Sequence, residues 1–452
     1  MRLIIGADSH DSPFGGCTTH FIVFLIKRLA REGIPLRLLE LPFLVRLNPY
    51  VPWKTRGNAS VVLKVDVPES SLQRFTEKAI ALSKTYSEAT RGKESSLVII
   101  EEEKAYENKE DLLSLYRRAL TDIVAGNEVN RLLQNMKQVA CVKSRGTVGA
   151  LAGIGFSISE SPVTYELIFY RRIEHTLTDR RVNEDSIARA EKSLKTLFNN
   201  YDYKRRRAIA IPRGPDPVLL GLRGIDPLDL LKAKEMVVFH EPVWCWCLFK
   251  TNQHTDAHAV RRKIGDIRPY QTCLLTGVVS EDPKVTRGGH VRVKIADETG
   301  EATVMFYQPT KPMTLVALRL MRGDIITVLG GVVPGIDEGI VIAAEKMWVE
   351  HAVPKVSILN PRCPMCGKRL SSAGSGGGYK CKRCGYRTKE ELEKEIIIEK
   401  RAIDRGPYTP PPGRIRHLTK PAFIQLKSRQ DAAAEKECSR ILEEMLLGED
   451  KQ

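Results

Sequence analysis

Apolar positions fall into two textures along this chain. Up to about residue 266, short apolar runs alternate with longer stretches of helical period. Strands are predicted at 3–7, 35–39, 61–67 and 96–101, with helices at 18–32, 70–86 and 109–124 between and after them. A segment of small residues at 147–155 (TVGALAGIG) reads as a tightly packed helix or turn. Strand 165–171, helix 184–197, strand 218–222, helix 228–236 and strand 244–249 follow. Such alternation predicts α/β layers, here two units over 1–158 and 159–266.

Beyond residue 266 the pattern changes to short alternating runs without long helices. Five strands are predicted at 273–279, 291–296, 302–307, 325–333 and 339–349, with a short helical stretch at 315–321. One helix between the third and fourth of five strands is the pattern of an OB-fold barrel, here over 267–352, although an SH3-like barrel shares the texture. A cysteine-rich module covers 358–388. The remainder, 389–452, is a basic tail with a charged helix at 389–400, a Pro/Arg-rich segment at 407–421 and an amphipathic stretch at 430–447.

At about 150 residues per domain, 452 residues allow three domains or so. A hydrophobic content of 42% excludes a chain that is mainly disordered. No run approaches the ~18 uncharged apolar residues of a membrane span, so no membrane partner is expected. The chain opens directly on a strand, and its ten cysteines are too few for a disulfide scaffold; the expected location is the cytoplasm. The net charge of +16 is uneven: residues 360–429 hold 17 Lys/Arg against 6 Asp/Glu. Further clusters lie at 204–207 and 261–263. Blocks like these draw polyanions by counterion release, and next to an OB-type barrel and a cysteine module they favour a nucleic-acid partner.

The strongest local motif is Cys363-x-x-Cys366 followed by Cys381-x-x-Cys384. Two such knuckles supply four thiolates for tetrahedral Zn²⁺, a structural site because no coordination position stays open. Cys245 and Cys247 sit in an apolar strand beside Trp244 and Trp246, where core packing is expected. Candidate catalysis centres on GADSHDSPFGGCTTH, residues 6–20. Asp8 and Asp11 lie at a strand end and can share Mg²⁺ with nucleotide phosphates. Gly15, Gly16 and the helix start at Thr18 and Thr19 offer N–H groups to an anion, though Thr18 and Thr19 are also ordinary helix caps. Lys54 and Arg56 in the loop LVRLNPYVPWKTRGN suit phosphate clamping or form a solvated basic loop. Lys143, Arg145 and Gly146 stand before a glycine-rich helix without the spacing of a P-loop.

Taken in this order, the segments resemble the archaeal isoleucine-tRNA agmatinylcytidine synthetase family. The counterparts are residues 8–12, 15–19, the loop 46–58, 145–155, PVLLGLRG at 217–224, FKTNQHTDAH at 249–258, the cysteine module, and RIRHLTKP at 414–421. The resemblance implies a kinase-like α/β domain, a ferredoxin-like α+β domain, an OB-fold barrel and a zinc ribbon. It implies an ATP-dependent ligase that attaches agmatine to C2 of the wobble cytidine in the CAU anticodon of tRNA(Ile), shifting decoding from AUG to AUA. On this alignment Asp8 and Asp11 would hold Mg²⁺, Thr18 would accept a phosphoryl group, and Lys54, Arg56 and Arg145 would handle phosphates. Asp256 and Glu166 are the carboxylates offered for agmatine. Two departures stand out. Ser9 replaces a family aspartate, a loss that His10 or the substrate phosphates would have to offset. Residues 212–217 read PRGPDP where the family has P-H-T-P-C-P, placing Arg213 and Asp216 in a stretch expected to line the substrate cleft. The competing readings are a non-catalytic tRNA-binding homologue, with Phe306 or Tyr307 stacking on bases, and an RNA phosphoryl or nucleotidyl transferase with another amine.

Overall fold

The structure, a computed structural model, describes residues 1–92, 95–172, 175–176, 178–335, 339–426 and 431–448. The amino-terminal half contains strands β1 (Arg2–Asp8), β2 (Phe43–Arg46), β3 (Ala59–Asp66), β4 (Ser96–Glu101) and β5 (Ala140–Val142). Its helices are α1 (Thr18–Arg31), α2 (Leu72–Ala89), α3 (Lys109–Thr121), α4 (Gly126–Met136) and α5 (Thr147–Ser157). The next stretch adds β6 (Thr164–Arg171), α6 (Glu184–Ser193), β7 (Val218–Gly224), α7 (Pro227–Met236) and β8 (Val243–Thr251). All eight strands, with the short edge strand Arg37–Leu38, join one nine-stranded sheet in the order β7-β6-β8-β2-β3-β1-β4-β5. The two expected α/β units are therefore not two sheets. β8 runs parallel to β2 through the pairs Lys250↔Phe43 and Thr251↔Leu44, and the sheet crosses the expected boundary at 158 without a break.

The alternation along β1 separates two cores. Leu3, Ile5 and Ala7 face a layer of α1, α2, α6, α7 and the last helix, α8 (Ala432–Leu447). Ile4 faces the layer of α3, α4 and α5. The small-residue helix α5 lies directly on the sheet: a Cβ on Gly6 would stand 2.5 Å from the Ala150 carbonyl oxygen. This close approach explains the run of small residues and brings the α5 amino terminus over the end of β1.

Five strands, β9 (Thr272–Val279), β10 (Val291–Asp297), β11 (Gly300–Phe306), β12 (Ile325–Pro334) and β13 (Ile340–His351), close a barrel in the order β9-β10-β11-β13-β12-β9. Only β11 and β13 are parallel among these pairs. Phe306 is fully buried in the barrel core, so of the two stacking candidates only Tyr307 is available at the surface.

The expected helix at 389–400 is absent. Its second half is strand β15 (Glu395–Glu399), paired antiparallel with β14 (Lys355–Leu359). The β-branched run Ile396–Ile398 outweighs the helix-forming glutamates and lysines before it. Helices Glu102–Glu107 and α4 and strand β5 lie outside the sequence-based expectation, and the barrel helix is shorter than predicted, Met313–Ala317. The predicted stretch 430–447 is α8 from Ala432; its first residue lies outside the described ones. Cys245 and Cys247 are buried in the sheet core, as expected from their strand.

Buried polar groups fasten the barrel to the sheet. Glu345 of β13 accepts from Tyr50 Oη at 2.5 Å and Thr419 Oγ1 at 2.5 Å, and pairs with His258 Nε2 at 2.9 Å. The strap 414–421 returns from beyond the cysteine module to reach this junction. Backbone bonds from His254 N to the His417 carbonyl (2.7 Å) and from Asp256 N to the Leu418 carbonyl (2.9 Å) hold it there.

Candidate active site

Two cavities meet at the carboxyl end of β1. The first is lined by Asp8, Ser9 and Asp11 from the turn, Lys54 and Arg56 from the proline loop, and Arg145 and Gly146 before α5. It opens into a hollow walled by Trp53, Ile123, Val124, Val129 and Val148, with Lys143 and Asn130 at its edge. The second cavity is lined by Thr18, Thr19, Arg46, Glu166, Asp216, Arg223 and His417, among others. Asp11, Arg56, Gly57 and Ala59 belong to both walls.

Local conformation places the acidic pair. Ser9 adopts φ 62°, a left-handed turn that ends β1, and its side chain packs beside Gly146. Gly149 leaves the space in which the Asp8 carboxylate sits, since a Cβ there would overlap Asp8 Oδ2. Burial and the negative charge of Asp11 push the Asp8 carboxyl up to about 8, against the opposing hydrogen bonds from Ser9. Two hard oxygen donors, desolvated and repelling each other, fit a Mg²⁺ ion, which would hold both in the ionised form. Arg56 Nη2 lies 3.4 Å from Asp11 Oδ2 and donates to the Gly16 carbonyl at 2.5 Å, while its Nη1 reaches Asp216 at 3.9 Å. This guanidinium thus stands at the neck between the cavities.

His10 does not offset the missing aspartate at Ser9. It is fully buried, pairs through Nε2 with Ser83 Oγ at 2.9 Å, and stacks on Phe21 at 3.7 Å. Burial lowers its pKa to about 3, so it is a neutral core residue turned away from the cavity. Gly15 and Gly16 form a two-residue ladder with Ser12 and Asp11 and are not on either cavity wall; they shape the turn and hold Arg56. Thr18 Oγ1 accepts from His10 N at 3.3 Å and faces the second cavity with Thr19. Arg145 lies over the Trp53 ring at 5.2 Å, a cation–π contact at the mouth of the first cavity.

The two carboxylates offered for agmatine separate. Glu166 lines the second cavity but is already engaged by Arg46 at 3.7 Å, Arg223 at 3.8 Å and the amide of Gln253. Asp256 lines neither cavity; it pairs with Lys346 at 2.7 Å and accepts from Lys420 N at 2.6 Å under the barrel. Asp216 lies on the second cavity wall, held by Arg180 at 3.3 Å, whereas Arg213 is off both walls. Arg46, Arg223, Trp53 and His417 are not among the site residues expected from the sequence, although each lies within a quoted motif. Only the fold shows which side chain of each string turns inward.

The cysteine module closes as its spacing requires. Ligand atoms of Cys363, Cys366, Cys381 and Cys384 lie within 4.8 Å of one another, and Gly367 (φ 70°) and Gly385 (φ 77°) turn the knuckles. Backbone N–H groups of Cys384 and Arg383 hold the Cys381 thiol down, towards the thiolate that zinc needs. Its core is only Cys363, Leu370 and Cys381 with a few half-buried neighbours. Chelation of the zinc is therefore expected to unfold this module alone, leaving the melting of sheet and barrel unchanged and weakening tRNA binding. Unchanged binding after chelation would rule the module out as an RNA contact.

Comparison with known proteins gives three domain matches. Residues 4–142 match the TiaS TCKD domain, 144–258 the TiaS FLD domain, and 360–403 the TiaS C-terminal zinc ribbon domain. The chain is similar to the isoleucine-tRNA 2-agmatinylcytidine synthetase TiaS of Thermofilum pendens, 38% identical over 93% of this chain and 94% of that one. It is 36% identical to the TiaS of Ignisphaera aggregans, over 92% of each chain. Among solved structures, a complex of TiaS with its isoleucine tRNA and ATP superposes with a TM-score of 0.82 at 29% identity, covering 95% of this chain and 99% of that one. A complex of TiaS with the same tRNA, AMPCPP and agmatine superposes with a TM-score of 0.79 at 28% identity over the same shares. Among the described residues no helix is long and apolar enough to cross a membrane.

Proposed function

The chain belongs to the TiaS family of isoleucine-tRNA 2-agmatinylcytidine synthetases, and on that premise we propose that it attaches agmatine to C2 of the wobble cytidine of tRNA(Ile) at the expense of ATP. The observation that carries this reading is the pair of cavities joined at Asp11 and Arg56. A reaction that activates one substrate with ATP and then admits an amine needs two adjoining sites with a shared neck.

In this reading ATP lies in the first cavity, its base in the apolar hollow of Ile123, Val124, Val129 and Val148 beside Trp53. Lys54, Arg145 and Arg56 clamp the phosphates, and the N–H groups at the start of α5 add partial positive charge. Asp8 and Asp11 would hold Mg²⁺, which when bound neutralises phosphate charge during transfer. The target cytidine and agmatine share the second cavity, with Thr18 at its wall as the candidate phosphoryl acceptor. Transfer of a phosphoryl group that originates from ATP to the C2 oxygen, with the remainder of the nucleotide as leaving group, turns that oxygen into a good leaving group. The amine then forms the C2–N bond as the C2–O bond breaks, releasing phosphate and the amine's proton. Arg46 and Arg223 can stabilise the negative charge of that leaving group. Glu166, held between two guanidiniums, serves to orient them. The barrel, of OB type by its strand order, and the zinc ribbon supply the tRNA platform. The kinase-like and ferredoxin-like domains meet in the continuous sheet, which fixes one cavity wall from each. The cytoplasm is the compartment this reading implies.

The test is ATP consumption by the full chain. Turnover is expected to rise at least about tenfold when CAU-anticodon tRNA and agmatine are added together. Turnover indifferent to the tRNA would contradict the reading and point to another acceptor.

A further inference from the structure

The strap residue His417 enters the second cavity from a segment more than 150 residues away in sequence from the nearest strand of the sheet, and none of the roles above uses it. Its position is fixed by the backbone bond from His254 N and by the burial of the next residue, Leu418, in the sheet core. Its Nδ1 lies 2.8 Å from Gln253 Oε1. Gln253 in turn presents its amide nitrogen to Glu166 Oε2.

This order of contacts determines the tautomer. An ionised carboxylate only accepts, so the Gln253 amino group must face Glu166 and its carbonyl must face His417. The imidazole therefore donates through Nδ1, and Nε2 keeps its lone pair. Arg46 above all, with Arg223, His254 and Arg416 beside it, holds the imidazole below its usual pKa range, which favours the neutral ring. The Cδ2–Nε2 edge lies beside Gly57, 3.5 and 3.6 Å from where a Cβ of that residue would stand. Gly57 belongs to both cavity walls and His417 itself lines the second, so this ring edge stands on the second cavity close to the neck. The hydrogen bond of the ring to Gln253 is made through Nδ1, which leaves Nε2 for a ligand.

We propose that His417 Nε2 is a fixed hydrogen-bond acceptor that binds an N–H donor of the substrates at the point of attack. This rests on the synthetase reading above. The other polar side chains of this cavity are guanidiniums, already paired carboxylates, the Cys17 thiol and the Thr18 and Thr19 hydroxyls, which donate as well as accept. An imidazole whose Nδ1 proton is committed to Gln253 can only accept at Nε2, which suits an amino N–H. The donor is the attacking amine of agmatine or the exocyclic amino group of the target cytidine, which offer the same chemistry. Gln253 and Glu166 are then positioning residues that act through His417.

The experiment is steady-state agmatine transfer to CAU-anticodon tRNA by the full-length wild type, His417→Leu and His417→Gln. His417→Leu is expected to raise one substrate's KM at least about tenfold, and His417→Gln to recover most of that loss because its amide carbonyl still accepts. Melting temperatures should match, since the ring borders a cavity and is not packed in the core. A raised KM for agmatine assigns the contact to the amine. A raised KM for tRNA, with weakened preference for cytidine over uridine at the wobble position, assigns it to the base. Wild-type values in His417→Leu, an effect on kcat alone, or equal losses in both variants would overturn the acceptor role. No transfer by the wild type would overturn the synthetase reading as well.

Discussion

Asp11→Ala is expected to lower agmatine transfer by about a thousandfold or more while changing tRNA affinity by less than about twofold. The first figure follows from the position of Asp11: it repels Asp8, balances Arg56 at 3.4 Å and faces both cavities. Removing it takes away half of the carboxylate pair and the nearer of the two charge partners of Arg56, which keeps the Gly16 carbonyl and Asp216 at 3.9 Å. Loss of a single preorganised electrostatic group in an active site costs roughly 10²–10³-fold, and here two functions fall together. The second figure follows because tRNA affinity is spread over many phosphates and a basic surface. Single-turnover transfer and filter binding on the same preparation separate the two. A large loss of affinity would show that Asp11 contacts RNA and is not a metal ligand.

The second large effect is on stability. Arg171 and Glu241 form an ion pair at 2.6 Å with both side chains essentially inaccessible, 0% and 1% exposed. Arg171 also donates to the carbonyls of Thr178 and Asp179 at 2.8 and 3.2 Å. That anchors Arg180, which donates to the Gly214 and Val218 carbonyls at 2.9 and 2.7 Å and pairs with Asp216 on the second cavity wall. Glu241→Ala leaves a buried guanidinium unpaired, which costs about 3–5 kcal/mol. Glu241→Gln, still able to accept one hydrogen bond, should cost less. Chemical denaturation of both variants checks the order; equal and small losses would show that the pair is solvated. Residual activity of Glu241→Ala below its unfolding transition should also fall, because the Asp216 wall loses its support.

The strands and helices nearest the site were legible because their patterns are local. β1, α1, β4 and the barrel strands have clean periods bounded by turn residues, and the cysteine spacing alone dictated four ligands. The charged stretch 389–400 misled because glutamate and lysine favour helix, whereas the Ile396–Ile398 run finds its partner only when 355–359 is folded beside it. Single-sheet continuity was not legible either. The join between β8 and β2 pairs Lys250 with Phe43, far apart in sequence, and rests on two register pairs. At the site, Asp8, Asp11, Lys54, Arg56 and Arg145 could be named because strand ends and glycine-flanked basic loops carry their own signal. Arg223 and His417 reach the second cavity through tertiary contacts alone. Asp256 shows the converse: a carboxylate in a conspicuous motif that serves the junction with the barrel.

The proposed reaction leaves a covalent product at one nucleotide. Nucleoside mass spectrometry of CAU-anticodon tRNA(Ile), incubated with the full chain, ATP, Mg²⁺ and isotopically labelled agmatine, reads it directly. The wobble cytidine alone is expected to gain the agmatine mass, with the label, and only when ATP is present. Tight tRNA binding with an unmodified wobble cytidine, under the same conditions and with other amines offered, would contradict it and leave a tRNA-binding protein.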